Sequence, residues 1–194
     1  MLKRILILSV LSIIILIFIP KEKSQSWGFY GHKRINRMAV FTLPPEMINF
    51  YKSHIEFVTN HAVDPDKRRY SVEGEAARHY IDIDHYGEHA FDSVPKFWKA
   101  AVSKFTEDTL MAYGIVPWQI EKHYYKLVQA FKDENIDRIL QYSADLGHYI
   151  GDSHVPLHTT ENYNGQLTGQ KGIHGFWESR IPELKAEDYD YFVG

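Results

Sequence analysis

Two histidine–carboxylate pairs in the C-terminal third of the chain constrain its fold most strongly. His148 precedes Asp152 by four residues, and His174 precedes Glu178 by four. Residues four apart lie on one face of an α-helix, so each pair predicts a helix that presents an imidazole beside a carboxylate. A single pair is usually a surface hydrogen bond. Two pairs with His158 between them favour a metal site, because imidazole nitrogens and carboxylate oxygens are common zinc ligands.

The N-terminal segment predicts export. Lys3 and Arg4 precede an apolar run over residues 5–19, and serines stand one and three places before Trp27. This order is typical of a secretory signal peptide, here residues 1–26, cleaved before Trp27. The apolar run is short for a membrane span, so an uncleaved membrane anchor is the less favoured alternative. We therefore predict a secreted or periplasmic protein.

The composition limits the class of protein. The net charge is −3, which does not favour tight non-specific nucleic-acid binding, because such binding needs a basic surface. The chain has no cysteine, so disulfides cannot stabilise it, and a core or bound metal must do so. No repeat or linker divides residues 27–194, which we interpret as one domain. Its last residues show no clear end of a domain, so we expect it to continue beyond Gly194.

Hydrophobic periodicity predicts an all-α fold. The helical segments are 31–42, a helix that starts at Pro44 and Pro45, 94–105, 117–132, 136–152 and 172–180. The Asp-Pro-Asp stretch from residue 64 predicts a loop, and the alternating YIDID at 80–84 predicts a strand or an extended loop. The clearest helix, 136–152, has a packing face of Ile139, Leu140, Ser143, Leu146, Gly147 and Ile150. Such a helical bundle has an interior that can hold metal.

Further candidate ligands upstream complete a longer pattern. Trp27 is followed by His32, then by Asp64 and His79, and the whole chain reads W-x4-H, D, H, H-x3-D-x5-H, H-x3-[DE]. In this order and spacing the chain resembles the superfamily that unites zinc-dependent phospholipases C with the single-strand-specific nucleases of fungi and plants. The resemblance covers nearly all of the part that follows the predicted signal peptide.

The resemblance implies a single helical domain with three zinc ions in a cleft. The ligands implied for the first zinc are Asp64, His79, His148 and Asp152. Those implied for the second are His158, His174 and Glu178. Those implied for the third are His32, Asp152 as a bridge, and the free α-amine and carbonyl of Trp27. An α-amine can bind zinc only after cleavage before Trp27, so export would complete the site.

The implied ligands fit hydrolysis of a phosphodiester. Three carboxylates facing three Zn²⁺ leave a positive charge that attracts phosphate and lowers the pKa of a bound water toward neutrality. The resulting hydroxide would attack phosphorus in line. Asp64 is both a ligand and the candidate catalytic residue that orients or deprotonates this water. We therefore predict a zinc-dependent phosphodiester hydrolase.

The signals that separate the two branches conflict. Glu178 as the last ligand and the short interval before His174 resemble the phospholipase C branch. The short step after Trp27 and the spacing from Asp64 to His79 resemble the nuclease branch. The substrate is therefore a phospholipid or a single-stranded nucleic acid, and no obligate protein partner is evident.

Some residues near the pattern have two interpretations. Tyr80 and Asp82 stand where the nuclease branch has base-stacking and base-binding groups, but a core tyrosine and a structural aspartate fit equally. Lys67, Arg68 and Arg69 fit either phosphate binding or a solvated loop, and we favour the loop. The histidines outside the pattern are expected at the surface or in hydrogen bonds.

The rival class is a non-catalytic zinc-binding protein, either exported or tethered to a membrane. It would keep the same histidines. The mixture of nitrogen and oxygen ligands, with open coordination positions, is typical of catalytic rather than storage sites and favours the enzyme.

Overall fold

The computed structural model describes residues 28–190, which form helices joined by short turns. The helices are α1 (Phe29–Ala39), α2 (Pro45–Ser53), α3 (Ile55–Asn60), α4 (Asp64–Arg68), α5 (Ala90–Ser93), α6 (Trp98–Phe105), α7 (Glu107–Tyr113), α8 (Val116–Lys132) and α9 (Ile136–Ser153). They are followed by α10 (Ile173–Gly175), a π-helical turn (Phe176–Arg180) and α11 (Ile181–Lys185). Turns of 3₁₀-helix cover Val40–Thr42, His61–Val63, Ala76–His79, Ile83–Tyr86, Pro156–His158 and Ala186–Asp188.

Residues 28–190 contain no strand, and the predicted all-α fold is confirmed. The predicted signal peptide and Trp27 lie outside this range. Within it, no helix combines the length and the apolar character that crossing a bilayer requires.

Helix α9 is the element against which the others pack. It contacts α8 along its length and also meets α1, α3 and the turn His61–Val63. Asn135 caps its start by accepting a hydrogen bond from the backbone N–H of Arg138 at 3.0 Å, which satisfies one of the free donors of the first turn. Ile139 and Ala144 of α9 belong to one buried apolar cluster, and Tyr149 of the same helix belongs to a second. Both cores therefore depend on this helix.

The buried face of α9 is more polar than predicted. Asp145, His148 and Asp152 are buried, whereas Ile150, expected on the packing face, is 38% exposed. The prediction for Ile150 is therefore wrong, because the helix is rotated so that its histidine and carboxylates face the interior. A polar face can be buried at this depth only where its groups bind one another or a ligand.

Gly147 allows α1 to approach α9 closely. A Cβ atom at Gly147 would lie 2.2 Å from Asn36 Oδ1, whereas one at Gly151 would lie at an ordinary contact distance of 3.4 Å from His32 Nδ1. The Asn36 amide donates hydrogen bonds to the Ala144 carbonyl at 3.0 Å and to the Val58 carbonyl at 3.3 Å. This contact places His32 on α1 against the buried face of α9.

Several local predictions differ from the structure. The predicted loop at residue 64 begins with helix α4, because Pro65 lies in a first turn, where its missing N–H is not needed. Of the two alternatives for the YIDID stretch, the strand is absent and the extended loop is present at residues 80–82, before the 3₁₀ turn at Ile83–Tyr86. The helix predicted from residue 94 begins at Trp98, and Phe97, expected inside, is 63% exposed. Pro182 does not end the last helix, because a π-helical turn precedes it and α11 starts there.

Candidate metal centre

Four buried side chains converge at the C-terminal half of α9, and we call them the deep group: Asp66, His79, His148 and Asp152. Asp152 Oδ2 lies 2.8 Å from His79 Nδ1 and 3.2 Å from His148 Nε2. The two histidine nitrogens are 3.0 Å apart. Asp66 Oδ1 lies 3.8 Å from each of them. Tetrahedral zinc with bonds of about 2.0–2.1 Å separates its ligands by about 3.3 Å, so His79, His148 and Asp152 fit one ion, and Asp66 lies within reach of the same two histidines.

Three further side chains form an outer group: His158, His174 and Glu178. Glu178 Oε1 lies 3.2 Å from His158 Nε2, and Glu178 Oε2 lies 2.9 Å from His174 Nε2. Glu178 is in the π-helical turn Phe176–Arg180, a geometry that often occurs at functional sites. The side chain of His174 is 16% exposed, so this group reaches the surface.

Asp152 lies between the two groups and α1. Its Oδ1 atom is 3.3 Å from His32 Nε2 and 3.9 Å from His158 Nδ1, while its Oδ2 atom faces the deep group. The His32 ring stacks on His148 with centroids 3.8 Å apart. One carboxylate can therefore serve two adjacent cations, one through each oxygen. Trp27, the remaining predicted ligand, lies outside the described residues.

Backbone carbonyls fix the orientation of three histidines. The Nδ1–H groups of His148, His158 and His174 donate to carbonyl oxygens, at 2.8, 2.5 and 3.2 Å. The acceptors are, in the same order, Ala62, His79 and Tyr163. Each Nε2 atom therefore faces a carboxylate of the site, and it is the nitrogen that can bind a metal once its proton is lost.

The electrostatics of the site favour a cation. Burial alone would raise the pKa of Asp152, but the charge of His148 and hydrogen bonds from three histidines hold this pKa well below its usual range. Burial likewise opposes ionisation of Glu178, but His158 and His174 lower its pKa. Burial lowers the pKa of both His32 and His79, which favours neutral rings that can bind metal.

Buried carboxylate oxygens without hydrogen bonds indicate that zinc fits the site. Within residues 28–190, neither oxygen of the buried Asp66 carboxylate accepts a hydrogen bond, and its contacts with His79 and His148 are 3.8 Å long. A carboxylate with such distant partners is costly in the interior, and a bound cation would remove that cost. Two nitrogen and two oxygen donors in the deep group are a ligand set that zinc accepts.

The structure replaces Asp64 with Asp66. The Asp64 carboxylate contacts His61 at 2.5 Å and Lys67 at 2.7 Å and is 28% exposed, away from both groups. Because α4 is a helix and not a loop, residues two apart point in nearly opposite directions, so Asp66 faces inward when Asp64 faces outward. The prediction of Asp64 as ligand and catalytic residue therefore does not fit. If the segment around Pro65 is interpreted as a helical turn, its two aspartates point in opposite directions, and either one becomes a candidate ligand.

A groove of about 960 Å³ opens beside the two groups. His79, His158 and His174 line its floor. Its walls contain Arg69, Tyr70, Tyr80, Asp82, Leu157, Glu161, Tyr163 and Phe176. Tyr80 and Asp82 thus lie in the groove, where a base-stacking role for Tyr80 and a base-binding role for Asp82 would require them.

The polar residues of the groove wall differ in charge and contacts. Burial, together with Asp84 and Glu161, raises the pKa of Asp82 to about 6, although His85 opposes this shift. Arg69 lies in the groove wall. Its neighbour Arg68 points elsewhere and binds Asp145 at 2.9 Å. Of the three basic residues at 67–69, only Arg69 lines the groove.

Three of the histidines outside the predicted pattern make the hydrogen bonds expected of them. His54 and His154 donate to the backbone carbonyls of Phe50 and Ile150, one turn before each of them. His123 contacts the Gln119 side chain at 2.9 Å in the interior. None of the three belongs to the deep or the outer group.

Neither the curated proteins nor the solved structures include a significant match to this chain. A family model described as zinc dependent phospholipase C matches residues 31–192, which is most of the chain and includes all of both groups. The match agrees with the pattern of histidines and carboxylates described above. The chain belongs to the zinc-dependent phospholipase C family.

Proposed function

We propose that this protein is a zinc-dependent hydrolase that cleaves the phosphodiester bond of phospholipids. The observation that carries the proposal is the pairing of two histidine–carboxylate groups, joined through Asp152, with a groove whose floor contains three of their histidines. A buried metal site alone would be structural, whereas donors that line an open groove can meet a substrate.

The donors suit three zinc ions. The deep group would hold one ion and the outer group a second. His32 and the second oxygen of Asp152 would hold a third, together with the α-amine and carbonyl of Trp27 after cleavage of residues 1–26. In support of this, the Gly28 N–H donates to the Glu178 carbonyl at 3.2 Å, so the residue that follows Trp27 lies beside the outer group.

Bound zinc would polarise a phosphoryl oxygen and lower the pKa of a bound water, which supplies the nucleophile. The protein's own residues orient the reaction. Asp66, whose oxygens accept no hydrogen bond within residues 28–190, would bind the deep zinc and so help to fix the position of that water. Arg69 on the groove wall is placed to hold the negative charge of the phosphate.

Three observations favour phospholipid over nucleic acid. The family is that of the zinc-dependent phospholipases C. If Asp66, which lies 3.8 Å from His79 and His148, is the ligand in place of Asp64, the nuclease-like spacing from residue 64 to His79 does not apply. The groove wall contains Asp82 and Glu161, whose negative charge repels a polyanion.

Single-stranded nucleic acid is the second candidate. Tyr80 lines the groove, as do Tyr70, Tyr163 and Phe176, and aromatic rings in a groove offer stacking surfaces for bases. The short step from Trp27 to His32 also supports it.

A side-by-side assay tests the proposal. Zinc-loaded protein is incubated with phosphatidylcholine vesicles, single-stranded DNA and RNA, each with and without a chelator and with the Asp66→Asn variant as an inactive control. We expect diacylglycerol release that the chelator and the substitution both abolish. Chelator-sensitive release of nucleotides, without diacylglycerol, would instead support the nuclease. No hydrolysis of any substrate by protein that holds zinc would support the non-catalytic zinc-binding alternative.

Export is tested separately by intact-mass analysis of the protein recovered outside the cytoplasm. We expect a chain that begins at Trp27. A chain that retains residues 1–26 would contradict the cleavage and would leave the third ion without its α-amine ligand.

A further inference from the structure

A second buried polar cluster lies on the far side of His79 from Asp152, and its centre is Glu75. Glu75 is fully buried and accepts a hydrogen bond from the Tyr149 hydroxyl through Oε1. Its other oxygen, Oε2, accepts from Arg78 Nη1. Arg68 Nη2 lies 3.6 Å from Oε1. One carboxylate therefore holds groups from three segments of the chain.

Arg68 extends the cluster to α9. Its two terminal nitrogens donate to the two oxygens of Asp145, at 3.3 and 2.9 Å, in a forked arrangement that fixes both side chains. Asp145 is 5% exposed. Burial alone would lower the pKa of Arg68, but Asp145 and Glu75 raise it above its usual value, so the guanidinium stays charged. Removing one partner of such a buried pair leaves an uncompensated charge.

The members of this cluster are near neighbours of the deep group in sequence. Arg68 follows Asp66 by two residues in α4, and Glu75 precedes His79 by four. Asp145 and Tyr149 flank His148 on α9. The three segments that carry the deep group are therefore bound together a few ångströms from it. The outer group is held differently, by the turn Pro156–His158 and by the π-helical turn.

One contact links the cluster directly to a candidate ligand. His79 presents Nδ1 to Asp152, and its opposite nitrogen, Nε2, lies 4.0 Å from Glu75 Oε1. At this distance Glu75 acts on the ring through its charge and not through a hydrogen bond, and a negative charge beside Nε2 favours the tautomer that carries its proton there and leaves Nδ1 free for metal.

We propose that Glu75 is a positioning residue for the deep group: it faces the far nitrogen of His79 and, through Arg68 and Tyr149, holds Asp66 and His148 in the arrangement that binds metal. This inference rests on the zinc centre of the proposed function. It goes beyond that function because it assigns the metal affinity of one site, and not of the other, to a residue that is not a ligand.

The test is a chelator competition that resolves the steps of zinc release from the full chain. His148→Ala assigns the step that belongs to the deep group, and His174→Ala assigns the outer step. In Glu75→Gln, which keeps the shape but removes the charge, we expect deep-site affinity to fall about 10–100-fold and outer-site affinity to change less than about twofold. Glu56→Gln is the matched control, because Glu56 forms a surface ion pair with Arg37 at 2.7 Å. It should change neither step.

Two results would overturn the inference. One is an unchanged deep step in Glu75→Gln, and the other is an equal loss of affinity at both sites, which general destabilisation would produce. If wild-type protein has no deep zinc step at all, the proposed function fails and the role of Glu75 fails with it, whereas a deep step that Glu75→Gln leaves unchanged overturns the role of Glu75 alone.

A milder variant keeps the test decisive should Glu75→Gln fail to fold. Tyr149→Phe removes one hydrogen bond to Glu75 and retains every charge. We expect a several-fold loss in the deep step alone and, after cobalt substitution, a shift in the absorption bands assigned to the deep site. An unchanged deep step and unchanged bands in this variant would contradict the proposal.

Discussion

The deep and outer groups both consist of histidines and carboxylates, but they differ in burial and in the elements that carry them. The deep group is fully buried, on α4, α9 and a 3₁₀ turn, and α9 also contributes to both apolar cores. The outer group is on short turns, and His174 is partly exposed at the groove. Closed sites usually stabilise a protein, whereas sites with an accessible position usually act on substrates. We therefore expect the deep group to contribute more to stability than the outer group, and the outer group to be the more accessible to substrate.

The largest expected effect follows from removing the residue shared by the two regions. Asp152→Ala should abolish activity and release more than one zinc, because Asp152 lies against His32, His79, His148 and His158. The free energy of unfolding should fall by about 3–5 kcal/mol, since a buried ionic network loses its anion. Zinc content and thermal unfolding measure both effects. Full activity with an unchanged zinc content would overturn the assignment of Asp152.

A matched pair of variants in α4 tests which aspartate belongs to the deep group. Asp66→Asn should lose the deep zinc, and its rate should fall about 10³-fold. A bound metal stabilises the transition state by several kcal/mol, and each 1.36 kcal/mol of activation free energy changes the rate tenfold. Asp64→Asn should keep both and lose less than about 1 kcal/mol of stability, since it breaks only partly exposed ion pairs. Zinc content and initial rates distinguish the two. A reversed order would restore Asp64 as the ligand.

The outer group should separate activity from stability. His174→Ala removes a ligand at the groove, so the rate should fall about 10²–10³-fold. The change in unfolding free energy should stay below about 1 kcal/mol, because the ring is partly exposed and lies in a three-residue helix. Steady-state rates and chemical denaturation measure the two quantities. Destabilisation as large as that of Asp152→Ala would remove the distinction between the groups.

The smallest effect concerns the groove wall, where Asp82 has a raised pKa of about 6. A carboxyl whose pKa is raised by folding destabilises the protein when ionised, so its penalty is present above about pH 6 and disappears as the pH falls toward the unfolded value. Asp82→Asn should therefore be more stable than wild type above pH 6, and the difference should vanish near pH 4. Denaturant titrations of the zinc-free proteins measure this difference. A difference that does not vary with pH would contradict the burial of Asp82.

The parts of the fold that the sequence predicted best are those set by helical spacing. His148, Asp152, His174 and Glu178 lie together in the predicted pairs because residues four apart must share a helix face. The long helices α8 and α9 also agree closely with the predicted segments. Local geometry was sufficient for these features.

The features that the sequence did not predict depend on tertiary packing. Whether Asp64 or Asp66 faces inward depends on the short helix Asp64–Arg68 around Pro65. The Asp-Pro-Asp sequence predicts a loop there and gives no indication of this helix. Burial of Glu75 cannot be inferred from its own segment, because its partners Arg68 and Tyr149 come from distant parts of the chain. Ile150 is exposed because α9 buries its polar face. Hydrophobic periodicity assumes that the apolar face of a helix is the buried one, so it predicts the opposite orientation.

The most direct test of the account is anomalous diffraction from crystals of the protein, recorded on either side of the zinc absorption edge. We expect one zinc peak among Asp66, His79, His148 and Asp152, and another among His158, His174 and Glu178. Peaks at these two positions would establish that the buried histidines and carboxylates form a metal centre. The absence of a peak from both positions in zinc-loaded protein, or a peak at Asp64 instead of Asp66, would contradict it.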